Sequence, residues 1–339
     1  MSRLLSIAAV IALLAVSATN PAEAQSAAGF YKGKTVTLLI GSGVAGGTDA
    51  WSRTLARHMG QHIPGNPSVV PVNMPGAGGL RMTNYLYNAA PKDGTMFGTP
   101  NGGIVLEPLL GGQGASFDTT KLGWIGSADH DSVVCVARKD AAVRSVEDLR
   151  TMELVVGSSG SGGNTHLYPT FFANMLGMKI RVIPGYKGTS DILLAIERGE
   201  VMGMCSAYDP LTRQSLYQAG KLRILFQAAA TPGKNIDAPV PVSFITSEEQ
   251  RKAVEFIVAR ETIGRPFFAP PDIPGERLHA LRRAFDATMK DRAFLTDAER
   301  QNFNVVASTG EELSAIIAHI YQTPPEVIRL AAKALGYQR

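Results

Sequence analysis

The stretch "TVTLLIGSGVAGGTDAW", residues 35–51, decides the fold class. Its apolar run at residues 35–40 is typical of a buried strand, and a glycine-dense loop follows at residues 41–47. From Trp51 onward, apolar residues recur every four positions, which predicts a helix. A strand, a glycine turn and a helix in this order form the first half of a βαβ unit.

The same order repeats along the chain and predicts its organisation. Apolar strand-like runs alternate with helical segments, which predicts an α/β protein with parallel sheets and helices on both faces. The pattern restarts near Trp124, and the C-terminal part is mostly helical. We expect two lobes, residues 26–127 plus 230–339 and residues 128–229, with the helical tail packed on the first. Two crossings between lobes predict a hinge and a cleft.

The N-terminus has the pattern of a secretory signal peptide over residues 1–24. Arg3 is followed by an apolar segment, and Ala22-Glu23-Ala24 forms a processing site before Gln25. We expect cleavage there and a periplasmic protein, with a retained anchor as the alternative. A hydrophobic content of 45% and 35 glycines are typical of a globular α/β protein, and the net charge of +4 is spread along the chain. This pattern argues against a nucleic-acid surface.

The cysteines and histidines do not predict a metal site or a cofactor. Cys135 and Cys205 lie in apolar strand-like segments. In an exported protein the two cysteines could form a disulfide, but two buried free thiols are the favoured interpretation. His58 and His62 are four residues apart, but the glutamate of a zinc-protease helix is missing between them.

Gly41, Gly43 and Gly46 satisfy the G-x-G-x-x-G pattern of dinucleotide-binding turns. That site also needs an acidic residue about 20 positions further on, yet the chain has none between Asp49 and Asp93. Patterns for a P-loop and for a nucleophile elbow are also missing. An exported oxidoreductase or hydrolase that binds phosphate through glycine loops stays as an alternative function.

Glycine-dense loops recur at residues 41–49, 73–79 and 157–166, each between a strand and a helix. Glycine lets the main chain approach a ligand, and helix starts offer unpaired N–H groups with a positive dipole end. A cleft lined by such loops is expected to hold a small anion. The alternative is that these glycines only form ordinary turns between strands and helices.

Six short motifs follow one another along the chain: "FYKGKTVTLLIG", "GGTD", "NMPGAGG", "APKDGT", "VGSSGSGGNTH" and "YKGTSDILLAIERGEV". In this order and spacing the chain resembles the periplasmic solute-binding proteins of tripartite tricarboxylate transporters. The resemblance implies a type II periplasmic-binding-protein fold, in which two lobes close on a carboxylated metabolite and present it to a membrane permease. It implies no chemistry on the ligand. We expect a monomer. The alternative to a transport receptor is a receptor domain that senses its ligand for a signalling partner rather than for a permease.

The resemblance also nominates ligand-binding residues by position. They are Gly46, Gly47, Thr48 and Asp49; Gly76, Ala77 and Gly78, with Thr99 and Asn101 nearby; Ser159, Ser161, Asn164, Thr165 and His166; Tyr186, Lys187 and Gly188; and Ser206 and Asp209.

Some of these residues have a second interpretation. Asp49 would repel a carboxylate, so it is expected to cap a helix beginning at Ala50. His166 either donates to the anion or bonds its own loop. Lys187 either provides a positive charge to the ligand or is a solvated surface lysine. Tyr186 belongs either to the cleft wall or to the core.

Overall fold

A computed structural model describes residues 26–44, 47–100, 102–112, 114–130, 132–160, 163–229 and 236–337. The predicted signal peptide lies outside these residues, as do three nominated ligand-binding residues: Gly46, Asn101 and Ser161.

Strands and helices alternate along the described part of the chain. The strands are β1 Thr35–Ile40, β2 Ser68–Asn73, β3 Met96–Thr99, β4 Gly123–Ser127, β5 Val133–Arg138, β6 Leu154–Gly157, β7 Ile180–Ile183, β8 Gly203–Ala207, β9 Leu222–Gln227, β10 Pro266–Ala269 and β11 Ser308–Thr309. The helices are α1 Ala27–Tyr31, α2 Gly47–Met59, α3 Leu80–Asn88, α4 Glu107–Leu110, α5 Asn164–Leu176, α6 Thr189–Arg198, α7 Tyr208–Thr212, α8 Ser215–Gln218, α9 Glu248–Val258, α10 Gly275–Thr288, α11 Arg292–Arg300, α12 Gly310–Ile320 and α13 Pro325–Ala334. Among the helices just given, none has the length and hydropathy that crossing a membrane requires.

The first sheet has the strand order β11-β4-β10-β3-β1-β2. Strands β1, β2 and β3 are parallel, and Ile40 pairs with both Asn73 and Thr99. Because these residues end their strands, the loops that follow leave the sheet at one edge. Strand β10 runs antiparallel between β3 and β4, which brings its first residue, Pro266, beside Ser127 at the same edge.

The second sheet has the order β7-β6-β8-β5-β9. Strand β6 is parallel to β7 and β8, while β5 and β9 run antiparallel to their neighbours. Gly157 pairs with Ile183, and Val133, which begins β5, pairs with Ala207, which ends β8. The loops after β6, β7 and β8 therefore meet at one edge. Both sheets are mixed, so the expectation of parallel sheets is correct only for the glycine-loop strands.

The helical packing follows the apolar periodicity. Trp51, Leu55 and Met59 form the buried stripe of α2, as the sequence predicts, and the Trp51 ring stacks on Phe303. The capping box of α12, in which Thr309 and Glu312 exchange hydrogen bonds, is also present as expected. The buried stripe and the Trp51–Phe303 stacking fix α2, whose first turn begins at the edge where the glycine loops leave the sheet.

The C-terminal helices contact both sheets. Helices α10 and α12 pack on β4, and α11 packs on α2. Helices α9 and α13 instead pack on one another and reach α5, where Gln250 Nε2 donates to the Met175 carbonyl and Asn174 Nδ2 donates to the Ala334 carbonyl. The tail therefore does not pack on the first sheet alone, because two of its helices cover the apolar face of α5.

Cys135 and Cys205 form a disulfide. The two residues lie directly opposite each other on the antiparallel strands β5 and β8. The sequence-based preference for two free thiols is wrong because apolar periodicity shows that each cysteine is buried but does not show which strands are neighbours.

Candidate functional site

A cavity of about 390 Å³ lies where the loop edges of the two sheets face one another. From the first sheet, its lining includes the start of α2, Pro100 after β3, and Arg265 before β10. From the second sheet come the loop before α5, the first residue of α6 and the end of β8. The predicted site residues among this lining are Gly47, Thr48, Ser159, Asn164, Thr165 and Ser206.

Helix starts are the main structural feature of this cavity. Helix α2 begins at Gly47, α5 at Asn164 and α6 at Thr189, and all three residues line it. Helices α5 and α6 have Gly163 and Gly188 at their N-caps, and neither cap supplies a side-chain hydrogen bond. Their first N–H groups therefore lack a side-chain cap, and each helix start favours a negative group by about 0.3 to 1 kcal/mol, or up to about 2 when partly buried.

The loop before α5 is held by its own hydroxyl groups. The Ser159 N–H donates to Thr165 Oγ1 over 3.1 Å, and the two hydroxyl oxygens are 3.0 Å apart. Ser158 Oγ accepts from the Gly160 N–H over 3.2 Å and lies 3.1 Å from His166 Nδ1. Burial lowers the pKa of His166, which favours its neutral form. His166 bonds this loop and is outside the cavity lining.

Asp49 lies in the first turn of α2, because the helix begins at Gly47. Its carboxylate accepts from Arg53 Nε over 3.0 Å and from Asn73 Nδ2 over 2.8 Å, and Asn73 Nδ2 also donates to the Ser42 carbonyl over 3.0 Å. The hydrogen bond to Asp49 raises the pKa of Arg53. The expectation that Asp49 caps a helix beginning at Ala50 is wrong: the buried carboxylate joins α2 to the end of β2.

Replacing Asp49 with alanine is expected to lower the free energy of unfolding by about 1.5 to 3 kcal/mol, because hydrogen bonds to a buried charged group are lost. Urea denaturation measures this change. Asp140→Ala is the matched control, since Asp140 forms an ion pair with Arg138 on the surface and such pairs contribute about 0 to 1 kcal/mol. Equal losses in the two variants would show that the Asp49 network does not hold α2 in place.

The second glycine loop lies beside the first but outside the lining of this cavity. Gly76, Ala77 and Gly78 form a turn before α3 with positive φ angles, and all three are at least partly exposed. A Cβ atom on Gly41 would lie 2.8 Å from the Gly79 Cα atom, so the first two loops pack closely together. The second loop therefore packs against the first loop at Gly41.

Thr99 is fully buried at the end of β3, directly before Pro100 of the lining. Among the described residues, its hydroxyl has no hydrogen-bond partner. Thr99 is therefore adjacent to the cavity and is not part of its lining.

The remaining nominated residues lie close to the cavity without lining it. Tyr186, Lys187 and Gly188 precede Thr189, and the Lys187 main-chain N–H donates to Asp191. Asp209 lines a neighbouring cavity of about 330 Å³, which is also lined by Trp51 and Phe303. The loop after β7 thus sets the start of α6, while Asp209 lies to one side.

Sequence reasoning missed the segment between α9 and β10. Arg260, Glu261, Gly264 and Arg265 all line the first cavity. Arg265 Nε donates to an Asp129 carboxylate oxygen over 2.7 Å, which joins β10 to the segment between β4 and β5. No motif marks these arginines, and the only local signal in the sequence is the single charge of Arg265 directly before the apolar run "PFFA".

The described residues contain no group of three His, Cys, Asp or Glu side chains placed to hold a metal ion. Besides the carboxyl group of Glu261, the lining residues supply main-chain N–H groups, hydroxyl groups and two arginines, which are donors suited to an anion.

Residues 52–331 match the family model described as "Tripartite tricarboxylate transporter family receptor". The chain belongs to this family. None of the curated proteins compared with this receptor matches it.

Solved structures of similar fold agree with the match. The periplasmic binding protein BugD is 21% identical, with a TM-score of 0.65, over 90% of this chain and 98% of that one. The R. palustris protein Rpa4515, solved with adipate, is 22% identical, with a TM-score of 0.63, over 90% and 98% of the two chains. MatC from Rhodopseudomonas palustris, solved with malate, is 18% identical, with a TM-score of 0.64, over 87% and 99%.

These findings confirm the predicted two-lobed α/β fold of the periplasmic binding proteins and the predicted role as a solute-binding receptor. Receptors of this family are periplasmic and work with a transporter.

Proposed function

We propose that this receptor captures a small organic carboxylate in the cavity between the two sheets and delivers it to the permease subunits of a secondary transporter. The observation that carries the proposal is the meeting of three helix starts, at Gly47, Asn164 and Thr189, around one cavity. A carboxylate is the common metabolite group that accepts several N–H bonds at once. Adipate and malate in two solved proteins of this fold support the same ligand class.

The proposed working cycle is closure of two lobes around the ligand. The lobes are residues 26–127 plus 230–339 and residues 128–229, and chain segments between the two sheets act as the hinge. The cavity is lined by residues from both sheets, so a ligand that contacts both sides favours the closed form. In this proposal the protein is an exported monomer, cleaved before Gln25, that performs no chemistry on its ligand.

Nine of the nominated residues take a direct or a supporting role in this proposal. Gly47, Thr48, Ser159, Asn164, Thr165 and Ser206 contact the ligand, because they line the cavity. Asp49, His166 and Gly188 position the helix starts through the contacts described above. The roles of Gly46, Asn101 and Ser161 stay predictions from the motifs that contain them.

A ligand at about 100 times its Kd is expected to stabilise the folded protein by about 2.7 kcal/mol. A thermal-melting screen of mono-, di-, tri- and aromatic carboxylates measures this as a rise in Tm, with the amide of each active acid as its control. If none of these acids raises the Tm, the assignment of a carboxylate ligand is wrong.

Two glycines provide a matched pair that tests the location of the site. Gly47 and Gly275 each begin a helix, and a Cβ atom would meet only Arg265 Nη1 at 3.8 Å in the first case and nothing within 4 Å in the second. Gly47→Leu fills the cavity and is expected to weaken binding at least tenfold, while Gly275→Leu leaves the Kd unchanged. Equal Kd values in the two variants would place the ligand elsewhere.

A further inference from the structure

Asn73 ends strand β2 and lies beside the first glycine loop. It pairs with Ile40, the last residue of β1, and the Met74 N–H donates to the Ile40 carbonyl over 2.8 Å. Side chains alternate along a strand, so Asn73 lies on the same face of the sheet as Val69, which packs against the apolar core that contains Trp51 of α2. The Asn73 side chain is therefore placed between the loop after β1 and the first turn of α2.

The side-chain amide of Asn73 uses both its nitrogen and its oxygen. Nδ2 donates to the Ser42 carbonyl over 3.0 Å and to Asp49 Oδ1 over 2.8 Å, and Oδ1 accepts from Arg53 Nη2 over 2.7 Å. Two acceptors on one side and a guanidinium donor on the other leave one orientation for the amide. A carboxylate at this position would face two acceptors, and a hydroxyl group could donate only once. The position therefore requires a group that donates twice and accepts once.

These hydrogen bonds join the two sides of the first glycine loop. Ser42 is the second residue after β1, and Asp49 lies in the first turn of α2. Between them, Gly47 and Thr48 line the cavity, while Asn73 lies outside the lining. Because one amide binds both Ser42 and Asp49, the segment that carries the start of α2 is held at both sides.

The first half of this loop has little burial of its own. Gly43 and Val44 are exposed, and the exposed fraction of Val44 is 73%. Exposed loop residues have few packing contacts, so they order only where hydrogen bonds hold them. The bond from Asn73 to the Ser42 carbonyl lies directly before these exposed residues.

We infer that Asn73 is a positioning residue for the anion site: its amide holds the first glycine loop so that the start of α2 faces the cavity before a ligand arrives. This inference rests on the proposed function, since it concerns how the start of α2 receives a carboxylate. A loop that orders only on binding lowers the affinity by the free energy of that ordering, so a preformed loop binds more tightly.

The first arm of the experiment needs no ligand and measures amide hydrogen exchange by mass spectrometry. Asn73→Ala is expected to raise the exchange rate at residues 42–49 at least tenfold, and to leave the loop at residues 157–166 unchanged. Asn88→Ala is the matched control, because the Asn88 amide also donates to main-chain carbonyls, those of Asn84 and Ser116, elsewhere in the first lobe. This control is expected to leave exchange at residues 42–49 unchanged.

The second arm measures by calorimetry the Kd of the acid that gives the largest rise in Tm in the carboxylate screen. Asn73→Ala is expected to weaken binding at least tenfold with a less favourable binding entropy, while Asn88→Ala changes the Kd less than twofold. The exchange variant, Asp49→Asn with Asn73→Asp, keeps an amide and a carboxylate between α2 and β2 but places an acceptor against the Ser42 carbonyl. We expect it to bind as weakly as Asn73→Ala.

The outcomes separate this inference from the proposed function. If exchange at residues 42–49 is unchanged in Asn73→Ala, or rises without a change in Kd, Asn73 does not position the site although the receptor still binds carboxylates. Wild-type affinity in the exchange variant would overturn the role of the bond to Ser42. Faster exchange throughout the chain would assign Asn73 to general stability only. If no acid binds the wild-type protein, the proposed function is wrong, whatever the exchange rates show.

Discussion

Gly264→Ala is expected to lower the free energy of unfolding by about 2 to 5 kcal/mol. Gly264 has a φ angle of +56°, which costs a residue with a side chain about 1 to 2 kcal/mol. An added Cβ atom would also overlap the main-chain carbonyl group of Asp129, and overpacking costs about 1 to 3 kcal/mol. Urea denaturation of the mutant and wild-type proteins measures the difference.

Two other glycines separate the contributions. Gly177 has a similar φ angle of +67° but open space around its Cβ position, and Gly275 has open space without a positive φ angle. Gly177→Ala is thus expected to lose only the backbone part, about 1 to 2 kcal/mol, and Gly275→Ala is expected to be nearly neutral or stabilising. If Gly264→Ala loses no more than Gly177→Ala, the close contact between Gly264 and Asp129 does not contribute.

The position of Gly264 explains why a stability change there also affects the site. It lies between Arg260 and Arg265, and its contact with Asp129 holds the segment before β10 against the segment between β4 and β5. Those segments lie where β4 ends in the first sheet and β5 begins in the second. Displacement of this contact would move both arginines of the cavity lining.

The parts of the site that the sequence could predict are those set by local signals. A glycine loop between an apolar strand and a segment with apolar residues at helical spacing predicts a helix start. Parallel strands bring such helix starts to one edge of the sheet. Gly47, Asn164 and Thr165 line the cavity for this reason. The recurrence of Trp51, Leu55 and Met59 at every fourth position is likewise enough to place the buried face of α2.

The arginines depend on topology that local signals do not contain. Arg265 reaches the cavity because β10 inserts antiparallel between β3 and β4, more than 130 residues from Asp129 along the chain. An apolar run such as "PFFA" predicts a strand but neither its neighbours nor its direction. The Cys135–Cys205 bond was missed for the same reason, since burial was evident and strand pairing was not.

Asp49 shows a smaller limit of sequence patterns. Aspartate before an apolar helical stripe is a common N-cap, yet α2 begins at Gly47, three residues before the predicted Ala50. The Asp49 carboxylate instead bonds Arg53 and Asn73. The partner on β2 lies 24 residues away, so the pattern around Asp49 does not contain it.

Loss of the Cys135–Cys205 disulfide is expected to lower the free energy of unfolding by about 4 kcal/mol. The bond joins residues 70 positions apart, and a crosslink of that span reduces the conformational entropy of the unfolded chain by an amount worth about 4 kcal/mol at room temperature. Both cysteines are buried, so the double variant Cys135→Ala with Cys205→Ala also leaves a small packing defect. Urea denaturation of wild-type protein with and without reductant measures the crosslink alone.

The double alanine variant is the control for the reductant, because its unfolding curve must be the same in oxidising and reducing buffer. Wild-type protein in reductant should approach the stability of that variant, since both have lost the connection between β5 and β8. Thiol titration in denaturant, before reduction, should find no free thiol in wild-type protein. Two free thiols per chain, with denaturation curves unchanged by reductant, would restore the interpretation that the cysteines are separate buried side chains.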